Sequence, residues 1–202
     1  MSETKVQEAS KNNNFHEYVL PVIVLVCVCV VTTALLAITN NVTQSVIEAN
    51  ALAEANETRQ TLLTDADGFT EVETELMSSS SSNVTEVYAA DNGVGYVFTL
   101  TTTSFGGELT MMVGVGSDGA ITGVSISDHA DTPGVGTKNF TDDYLGQYVG
   151  LTALTSADVK SETATLASGG TFEYISGASV TGSAVHDAVY LALEQYAAIG
   201  GV

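Results

Sequence analysis

The run Tyr174-Ile175-Ser176-Gly177-Ala178-Ser179-Val180-Thr181 lies where a strand predicted over Phe172–Ile175 meets the closing helix of the chain. The Ser176-Gly177 pair predicts a tight turn. From Val180 onward apolar residues recur at helical spacing, at Ala184, Val185, Ala188, Val189 and Ala192. A helix N-terminus presents unpaired backbone N–H groups and the positive end of the helix dipole, so it favours a phosphate. The small residues of the turn let the backbone approach such a group closely.

Two further stretches resemble known motifs together with this one. Gly95–Val124 contains the aromatic-Gly-Gly step Phe105-Gly106-Gly107, and His129–Lys138 contains Asp131-Thr132-Pro133-Gly134-Val135-Gly136. With Ile175–Glu194 they resemble, in the same order, the motifs of FMN-binding domains, whose flavinylation core reads S-G-A-T/S. In that family a separate flavin transferase esterifies the last hydroxyl residue of the core to the phosphate of FMN. The resemblance therefore implies covalently bound FMN and a flavin transferase as a maturation partner.

By this resemblance Ser179 carries the flavin, and Ser176-Gly177-Ala178 forms the rest of the core. Three positions depart from the usual pattern. Ser179 stands where threonine is usual, Asp131 where glutamate is usual, and Gly182 where a second hydroxyl residue commonly follows. Serine and threonine form the same kind of phosphoester, so the first departure is chemically mild. The third leaves Thr181 as a competing acceptor.

The loop His129–Lys138 supplies further predicted FMN contacts. Gly134 and Gly136 allow backbone N–H groups to approach a flat heteroaromatic ring. Thr132 is expected to hydrogen-bond the ring edge or the phosphate. Lys138 either offsets the charge of the bound flavin or is an ordinary surface lysine. The predicted set is completed by Pro133, by Gly106, and by Phe105 as a wall of the ring site or as a core residue.

Two alternative roles for Ser179 follow from its position. A serine at the start of a helix most often only caps it. Gly177-Ala178-Ser179 on a strand-turn-helix also resembles the nucleophile elbow of hydrolases, but Thr181 replaces its last glycine. The elbow also needs an acid and then a histidine later in the chain, whereas His186 lies on the same helix. The three motif matches therefore favour flavin attachment.

The run Tyr18–Ile38 contains no charged residue. At about 1.5 Å per residue it spans roughly 32 Å, close to the ~30 Å hydrocarbon core of a bilayer. A cleaved signal peptide is the alternative, but the run exceeds the usual apolar region of about 7–15 residues. Lys5 and Lys11 precede the run, and nothing basic follows it before Arg59. The positive-inside rule therefore predicts cytoplasmic residues 1–17 and an extracytoplasmic domain.

Composition narrows the possible partners and cofactors. The chain has 24 acidic and 5 basic residues and a formal net charge of −19. This charge argues against nucleic acid as a partner. Cys27 and Cys29 are the only cysteines, and His16, His129 and His186 are dispersed. Neither an iron–sulfur cluster nor a structural zinc site is therefore expected.

The predicted organisation is a tail (1–17), a membrane helix (18–38), a connecting helix (39–66) and one FMN-binding domain (67–202). Strand-like runs separated by short turns crowd the middle of the chain, and helices lie at both ends, which predicts an α+β fold with an antiparallel sheet. The predicted strands are Val72–Leu76, Val84–Ala89, Gly95–Thr103, Leu109–Val115 and Ile121–Ser127. Ser78–Ser82 is predicted as a solvated loop and Tyr144–Val149 as a short helix.

The resemblance also implies a role. Within the family the chain resembles the G subunit of the Rnf ion-translocating ferredoxin:NAD oxidoreductase and the C subunit of the sodium-translocating NADH:quinone oxidoreductase, and the compact length favours the former. No G-x-G-x-x-G nicotinamide fingerprint follows a strand, and a single span without charge offers no ion path. We therefore expect an electron relay among other membrane subunits. The alternatives are a stand-alone membrane-anchored flavoprotein and a non-redox adhesion or sensory ectodomain.

Overall fold

A computed structural model of the chain describes residues 18–161, 166 and 171–200. The chain divides into two compact units, Met1–Ala53 and Glu54–Val202. The predicted cytoplasmic tail, residues 1–17, lies outside the described residues.

Helix α1, Leu20–Leu62, covers both the predicted membrane span and most of the predicted connector. Residues 22–62 contain neither proline nor glycine, so no residue there interrupts the helix. Its most apolar 18-residue window has a mean hydropathy of 2.9, and the helix is long and apolar enough to cross a membrane. Thr33 and Thr39 donate their hydroxyls to carbonyl oxygens four residues earlier, at 2.7 and 2.9 Å, which satisfies these groups without water.

The second unit contains a five-stranded sheet in which each strand pairs antiparallel with the next one along the chain. Glycines with positive φ lie in the turns after β2 and β4, at Gly93 and Gly119. The predicted α+β fold with an antiparallel sheet is confirmed. The strands are β1 (Phe69–Glu71), β2 (Ser82–Ala90), β3 (Gly95–Thr103), β4 (Glu108–Gly116) and β5 (Ile121–His129).

The helices that follow the sheet are short except for the last. They are a 3-10 turn (Gly136–Phe140), α2 (Asp142–Leu145), a second 3-10 turn (Gly146–Tyr148) and α3 (Ser179–Ala198). Helix α3 packs on one face of the sheet, against β2 and β3. Its buried side repeats at helical spacing, and the strands contribute every second residue. The main core includes Val185, Ala188, Val189 and Ala192 of α3 with Phe98, Leu100, Met111 and Val113 of the sheet.

The last turns of α1 lie in the second unit and cover the opposite face of the sheet. Arg59 is only 2% exposed there. Its guanidinium carbon lies 3.6 Å from the ring centroid of Tyr88, and its Nη2 lies 3.3 Å from a carboxylate oxygen of Glu86. The buried cation is therefore compensated by a ring face and an acid. A smaller apolar cluster surrounds it, made of Leu62, Leu63, Ala66, Ala90, Val97 and Met112.

Two predicted strands are absent where the sequence placed them. Phe172–Ile175 forms no strand; the side-chain amide of Gln147 instead pairs with both backbone groups of Glu173, at 2.8 and 3.1 Å. The strand predicted over Val72–Leu76 lies earlier, at Phe69–Glu71. Alternating apolar residues indicate which side chains face the core. They do not show whether a neighbouring strand lies close enough for backbone hydrogen bonds, so a strand predicted from alternation alone can be absent.

The serine-rich segment is exposed over Ser78–Ser81, as predicted for a solvated loop, but Ser82 departs from the prediction and the segment is anchored. Ser82 belongs to β2 and is fully buried. The hydroxyls of Ser79, Ser81 and Ser82 all donate to Oδ2 of Asp187 on α3, at 2.9, 2.6 and 2.6 Å. A single carboxylate distant in sequence therefore orders a segment that looks like low-complexity loop.

Candidate functional site

The start of α3 carries no side-chain cap. Gly177 turns the chain with φ 84°, Ala178 is the N-cap residue, and Ser179 is the first helical residue. The N–H of Gly182 bonds to the carbonyl of Ala178 at 3.0 Å, so the N–H groups of residues 179–181 have no acceptor within the helix. Alanine offers no oxygen to these donors, which leaves them available to an anion. Ser179 does not cap the helix, and the capping alternative does not describe it.

A cleft of about 180 Å³ opens at this helix start. Enclosed pockets for small molecules typically measure about 300–1,000 Å³. The cleft therefore accommodates part of a nucleotide-sized ligand and leaves the rest at the surface. Three segments line it: the turn between β3 and β4, the loop after β5, and the start of α3. The lining residues are Phe105, Thr132, Val135, Gly136, Gly177, Ala178, Ser179, Val180 and Thr181.

Phe105 forms one wall of the cleft from the β3–β4 turn. Its side chain is 73% exposed, so the alternative of a core residue is wrong. The turn closes through the N–H of Ser104, which donates to the carbonyl of Gly107 at 2.8 Å. A Cβ on Gly106 would collide with the backbone of Ala130 and Asp131. Only glycine therefore lets this turn approach the loop after β5 and present an exposed ring beside the helix start.

Asp131 connects all three segments of the cleft. The residue is 5% exposed. Its Oδ1 accepts a hydrogen bond from the hydroxyl of Thr181 at 2.7 Å and another from the N–H of Gly106 at 3.2 Å. A Cβ on Gly136 would collide with the same carboxylate, so the loop wraps closely around it. Thr181, predicted as a competing flavin acceptor, is 1% exposed and uses its hydroxyl for this bond.

Asn139 joins the same loop to the turn before α3. It is fully buried, and its Nδ2 donates to the carbonyl oxygens of Gly136 and Ala178, both at 3.0 Å. A Cβ on Gly182 would lie 2.9 Å from Oδ1 of Asn139 and 3.2 Å from the hydroxyl oxygen of Tyr144. The glycine at position 182, where the resemblance leads one to expect a hydroxyl residue, therefore lets α3 approach this pair.

Tyr144 is the group near the cleft whose titration the fold changes most. Burial raises the pKa of Tyr144 to about 12, an effect that the hydroxyl of Tyr148 partly opposes. Its phenol is therefore neutral at physiological pH and brings no negative charge towards the helix start.

The structure brings most of the predicted site residues together. Those in the cleft lining are Phe105, Thr132, Gly136, Gly177, Ala178, Ser179 and Thr181. The remainder belong to the same segments without lining the cleft, namely Ser176, Gly106, Pro133, Gly134 and Lys138. Gly134 has a turn role, with φ 77° and its N–H donating to the Thr137 hydroxyl at 2.8 Å. Lys138 is exposed. Their assignment to FMN binding stays a prediction.

Three residues of the site were not predicted. Val135 and Val180 line the cleft and are 47% and 55% exposed. The sequence could have indicated both residues: Val135 is an apolar residue in a glycine-rich loop, and Val180 is an apolar residue in the first turn of a helix. The sequence carries no such signal for Asn139. Its role depends on the hydrogen bond to Ala178, and that partner lies 39 positions away in the sequence.

The residues present fit FMN. The uncapped start of α3 provides N–H donors for a phosphate, and the half-buried Ser179 lies at the same place. Phe105, Val135 and Val180 offer exposed apolar surface to a flat ring system. Within the described part of the chain, no group of three or more His, Cys, Asp or Glu side chains forms a metal site. The arrangement therefore suits an organic phosphate.

The chain is similar to known proteins in its sequence. Residues 104–194 match the FMN-binding domain family. The chain is 28% identical over 185 residues to the G subunit of the ion-translocating oxidoreductase complex of Methanosarcina acetivorans, covering 89% of this chain and 95% of that protein. It is 29% identical over 186 residues to the G subunit of the Na⁺-translocating ferredoxin:NAD⁺ oxidoreductase complex of Acetobacterium woodii, covering 86% and 89%. Among solved structures, the C subunit of the Na⁺-translocating NADH-quinone reductase from Parabacteroides distasonis has a TM-score of 0.41 at 17% identity, covering 71% and 91%.

Proposed function

We propose that this chain, which carries an FMN-binding domain over residues 104–194, is the flavin electron-transfer subunit of a membrane-bound, ion-translocating ferredoxin:NAD oxidoreductase complex. The prediction of this family is confirmed by the match. The observation that carries the proposal is the half-buried Ser179 on an uncapped helix N-terminus inside the matched segment. The similarity to G subunits extends over most of the chain and supports the same role.

The FMN phosphate is esterified to Ser179 by a flavin transferase. The Ser176-Gly177 turn is exposed, which gives a modifying enzyme access to the segment. Attachment would join the Ser179 oxygen to the FMN phosphorus of a dinucleotide flavin donor: the serine would lose its proton, and the phosphoanhydride bond of the donor would break and release its nucleoside monophosphate half. The N–H groups of residues 179–181 then lie next to the phosphate and stabilise its charge.

When bound, FMN accepts electrons in pairs and passes them on singly. The protein supplies the tether, the orientation and the surroundings of the ring. Phe105 and Val135 line the cleft and are exposed, so they shield part of a ring without enclosing it. An incompletely covered ring at the surface suits electron exchange with neighbouring subunits of a complex.

Ion movement and nicotinamide chemistry belong to partner subunits in this proposal. Within the described residues, α1 is the one helix that is long and apolar enough to cross a membrane. Residues 18–38 contain no charged side chain that could form part of an ion path. The chain is therefore a relay that needs other membrane subunits and does not act on NAD by itself. Its flavin domain lies on the extracytoplasmic side.

The experiment is production of the full-length chain with a flavin transferase, followed by denaturing electrophoresis and peptide mass spectrometry. We expect in-gel flavin fluorescence and an FMN adduct on the peptide that contains Ser179. Ser179→Ala should lose the adduct, whereas the control Ser176→Ala in the same turn should keep it. Without the transferase, the domain should fold colourless.

Each outcome has a separate meaning. A wild-type chain that binds no flavin under these conditions contradicts the FMN function. Flavin that copurifies but is released on denaturation contradicts only the covalent bond. A Ser179→Ala variant with full labelling moves the bond to another residue.

A further inference from the structure

We infer that Asp131 is a positioning residue of the cleft: it holds the Phe105 turn against the start of α3 and keeps the Thr181 hydroxyl out of flavin attachment. This inference rests on the proposed function, since it concerns which hydroxyl receives the flavin and what wall the flavin meets. Asp131 itself does not line the cleft and is not assigned a contact with FMN.

The carboxylate acts on both sides of the cleft through one oxygen. Oδ1 receives the Gly106 N–H from the β3–β4 turn and the Thr181 hydroxyl from α3. In both bonds Oδ1 is the acceptor, at 3.2 Å from the Gly106 nitrogen and 2.7 Å from the Thr181 hydroxyl oxygen. Its burial strengthens these bonds, because little water competes for the oxygen.

The bond from Gly106 ties the turn that carries Phe105 to the loop after β5. The hydrogen bonds between Ser104 and Gly107 close the turn but do not connect it to other segments. The Gly106 N–H, donated to Asp131, is the bond that ties the turn to the loop after β5. Because Phe105 is 73% exposed, packing of its own side chain contributes little to holding it in place.

The hydrogen bond from Thr181 to Asp131 distinguishes the two possible flavin acceptors, Ser179 and Thr181. Ser179 and Thr181 are two positions apart on α3, and successive helical residues are about 100° apart around the axis, so their side chains differ by about 200°. Ser179 is half-buried beside the cleft, whereas Thr181 is 1% exposed with its hydroxyl committed to Asp131 at 2.7 Å. A transferase that reaches one hydroxyl therefore does not reach the other.

The first test uses the FMN-free full-length chain in detergent micelles, with amide hydrogen exchange read by NMR. Asp131→Ala removes both hydrogen bonds, whereas Asp131→Asn keeps an acceptor oxygen at the same position. We expect exchange of the Gly106 amide to rise about tenfold or more in Asp131→Ala and by less than about threefold in Asp131→Asn. Asp128→Ala, an exposed acid on β5, is the matched control and should leave this amide unchanged.

The second test uses the chain produced with flavin transferase and locates the adduct by mass spectrometry. Thr181→Val should still carry its adduct on Ser179, because the Thr181 hydroxyl takes no part in attachment. Its labelling should fall no further than that of Asp131→Ala, which loses the bond to Thr181 and the bond to Gly106 as well. Asp131→Ala should be labelled less than wild type at Ser179, while Asp131→Asn and Asp128→Ala should match wild type.

Three results would overturn the inference. They are unchanged Gly106 exchange in Asp131→Ala, an adduct on Thr181 in wild type, and complete loss of the Ser179 adduct in Thr181→Val. If Asp131→Ala does not fold, the wild-type chain still tests the inference. Its buried Thr181 hydroxyl proton should give a slowly exchanging resonance, which Thr181→Val lacks. A wild-type spectrum without this resonance refutes the hydrogen bond to Asp131. A wild-type chain without flavin would instead contradict the proposed function and leave the exchange result standing.

Discussion

Asn139 and Ala178 lie 39 positions apart, and a buried hydrogen bond of 3.0 Å joins Nδ2 of the asparagine to the carbonyl oxygen of the alanine. The same Nδ2 donates to Gly136, so one side chain fixes the loop after β5 to the residue directly before Ser179. The position of the candidate flavin acceptor therefore depends on a side chain that does not itself line the cleft.

Asn139→Ala should destabilise the second unit. It removes the Asn139 hydrogen bond from the buried carbonyl of Gly136 and one of the two hydrogen bonds that the carbonyl of Ala178 accepts, which costs about 1–3 kcal/mol of unfolding free energy. Urea unfolding followed by circular dichroism measures the change. Asn92→Ala, at an exposed asparagine whose side chain donates to the carbonyl of Asp65, is the control and should cost less than about 1 kcal/mol. Equal losses in the two variants would contradict the role given to Asn139.

Gly182→Ala should destabilise the protein even though alanine favours helices. The new Cβ would lie 2.9 Å from Oδ1 of Asn139. The Asn139 side chain cannot move away easily, because its Nδ2 donates two hydrogen bonds. The overpacking should cost about 1–3 kcal/mol, which exceeds the roughly 1 kcal/mol that alanine gains over glycine in helix propensity. Gly146→Ala is the matched control. Its Cβ meets open space and its φ is −60°, so this variant should be neutral or slightly stabilising. A stabilised Gly182→Ala would refute the close approach.

Alkaline pH should weaken the fold through Tyr144. Its folded-state pKa of about 12 lies above the usual value near 10, so the folded protein holds this proton more tightly than the unfolded chain. The associated stability, about 2–3 kcal/mol, is fully present below pH 10 and is lost as the pH rises towards 12. Urea unfolding at pH 8 and pH 11 should show a smaller decline for Tyr144→Phe than for wild type. Identical declines would remove Tyr144 as the cause.

Asp187→Ala should release the serine segment before β2. Three hydroxyls lose their shared acceptor, and Ser82 among them is fully buried, so a loss of about 1–3 kcal/mol is expected. Limited proteolysis should cleave near Ser79–Ser82 faster than in wild type. Glu194→Ala, at an exposed acid on the same helix, is the control. A cleavage pattern identical to wild type would mean that the serines are ordered by backbone pairing alone.

The flavin domain is expected outside the cytoplasmic membrane, because Lys5 and Lys11 precede the apolar run and the next basic residue is Arg59. Protease added to intact spheroplasts should digest the domain and leave a membrane-protected fragment around residues 18–38. A domain that is protected until the cells are lysed would reverse this orientation, and with it the need for electrons to cross the bilayer through partner subunits.

The sequence alone determined the features that depend on neighbouring residues. Residues 22–62 lack proline and glycine, so α1 forms without interruption. The Ser176-Gly177 turn and the helix after it were predicted, and the bounds of β3 agree with the prediction. In each case a short stretch carries its own conformational preference.

Only the tertiary structure decided which side chains hold the cleft together. Asp131 and Thr181 are 50 positions apart, Asn139 and Ala178 are 39 apart, and Ser82 and Asp187 are 105 apart. A hydrogen bond between distant residues leaves no periodicity in the sequence, because it depends on where the fold places each partner. The sequence therefore left two hydroxyls as candidate flavin acceptors, whereas the packing of the loop after β5 against α3 decided that Ser179 is half-buried and that the buried Thr181 hydroxyl donates to Asp131.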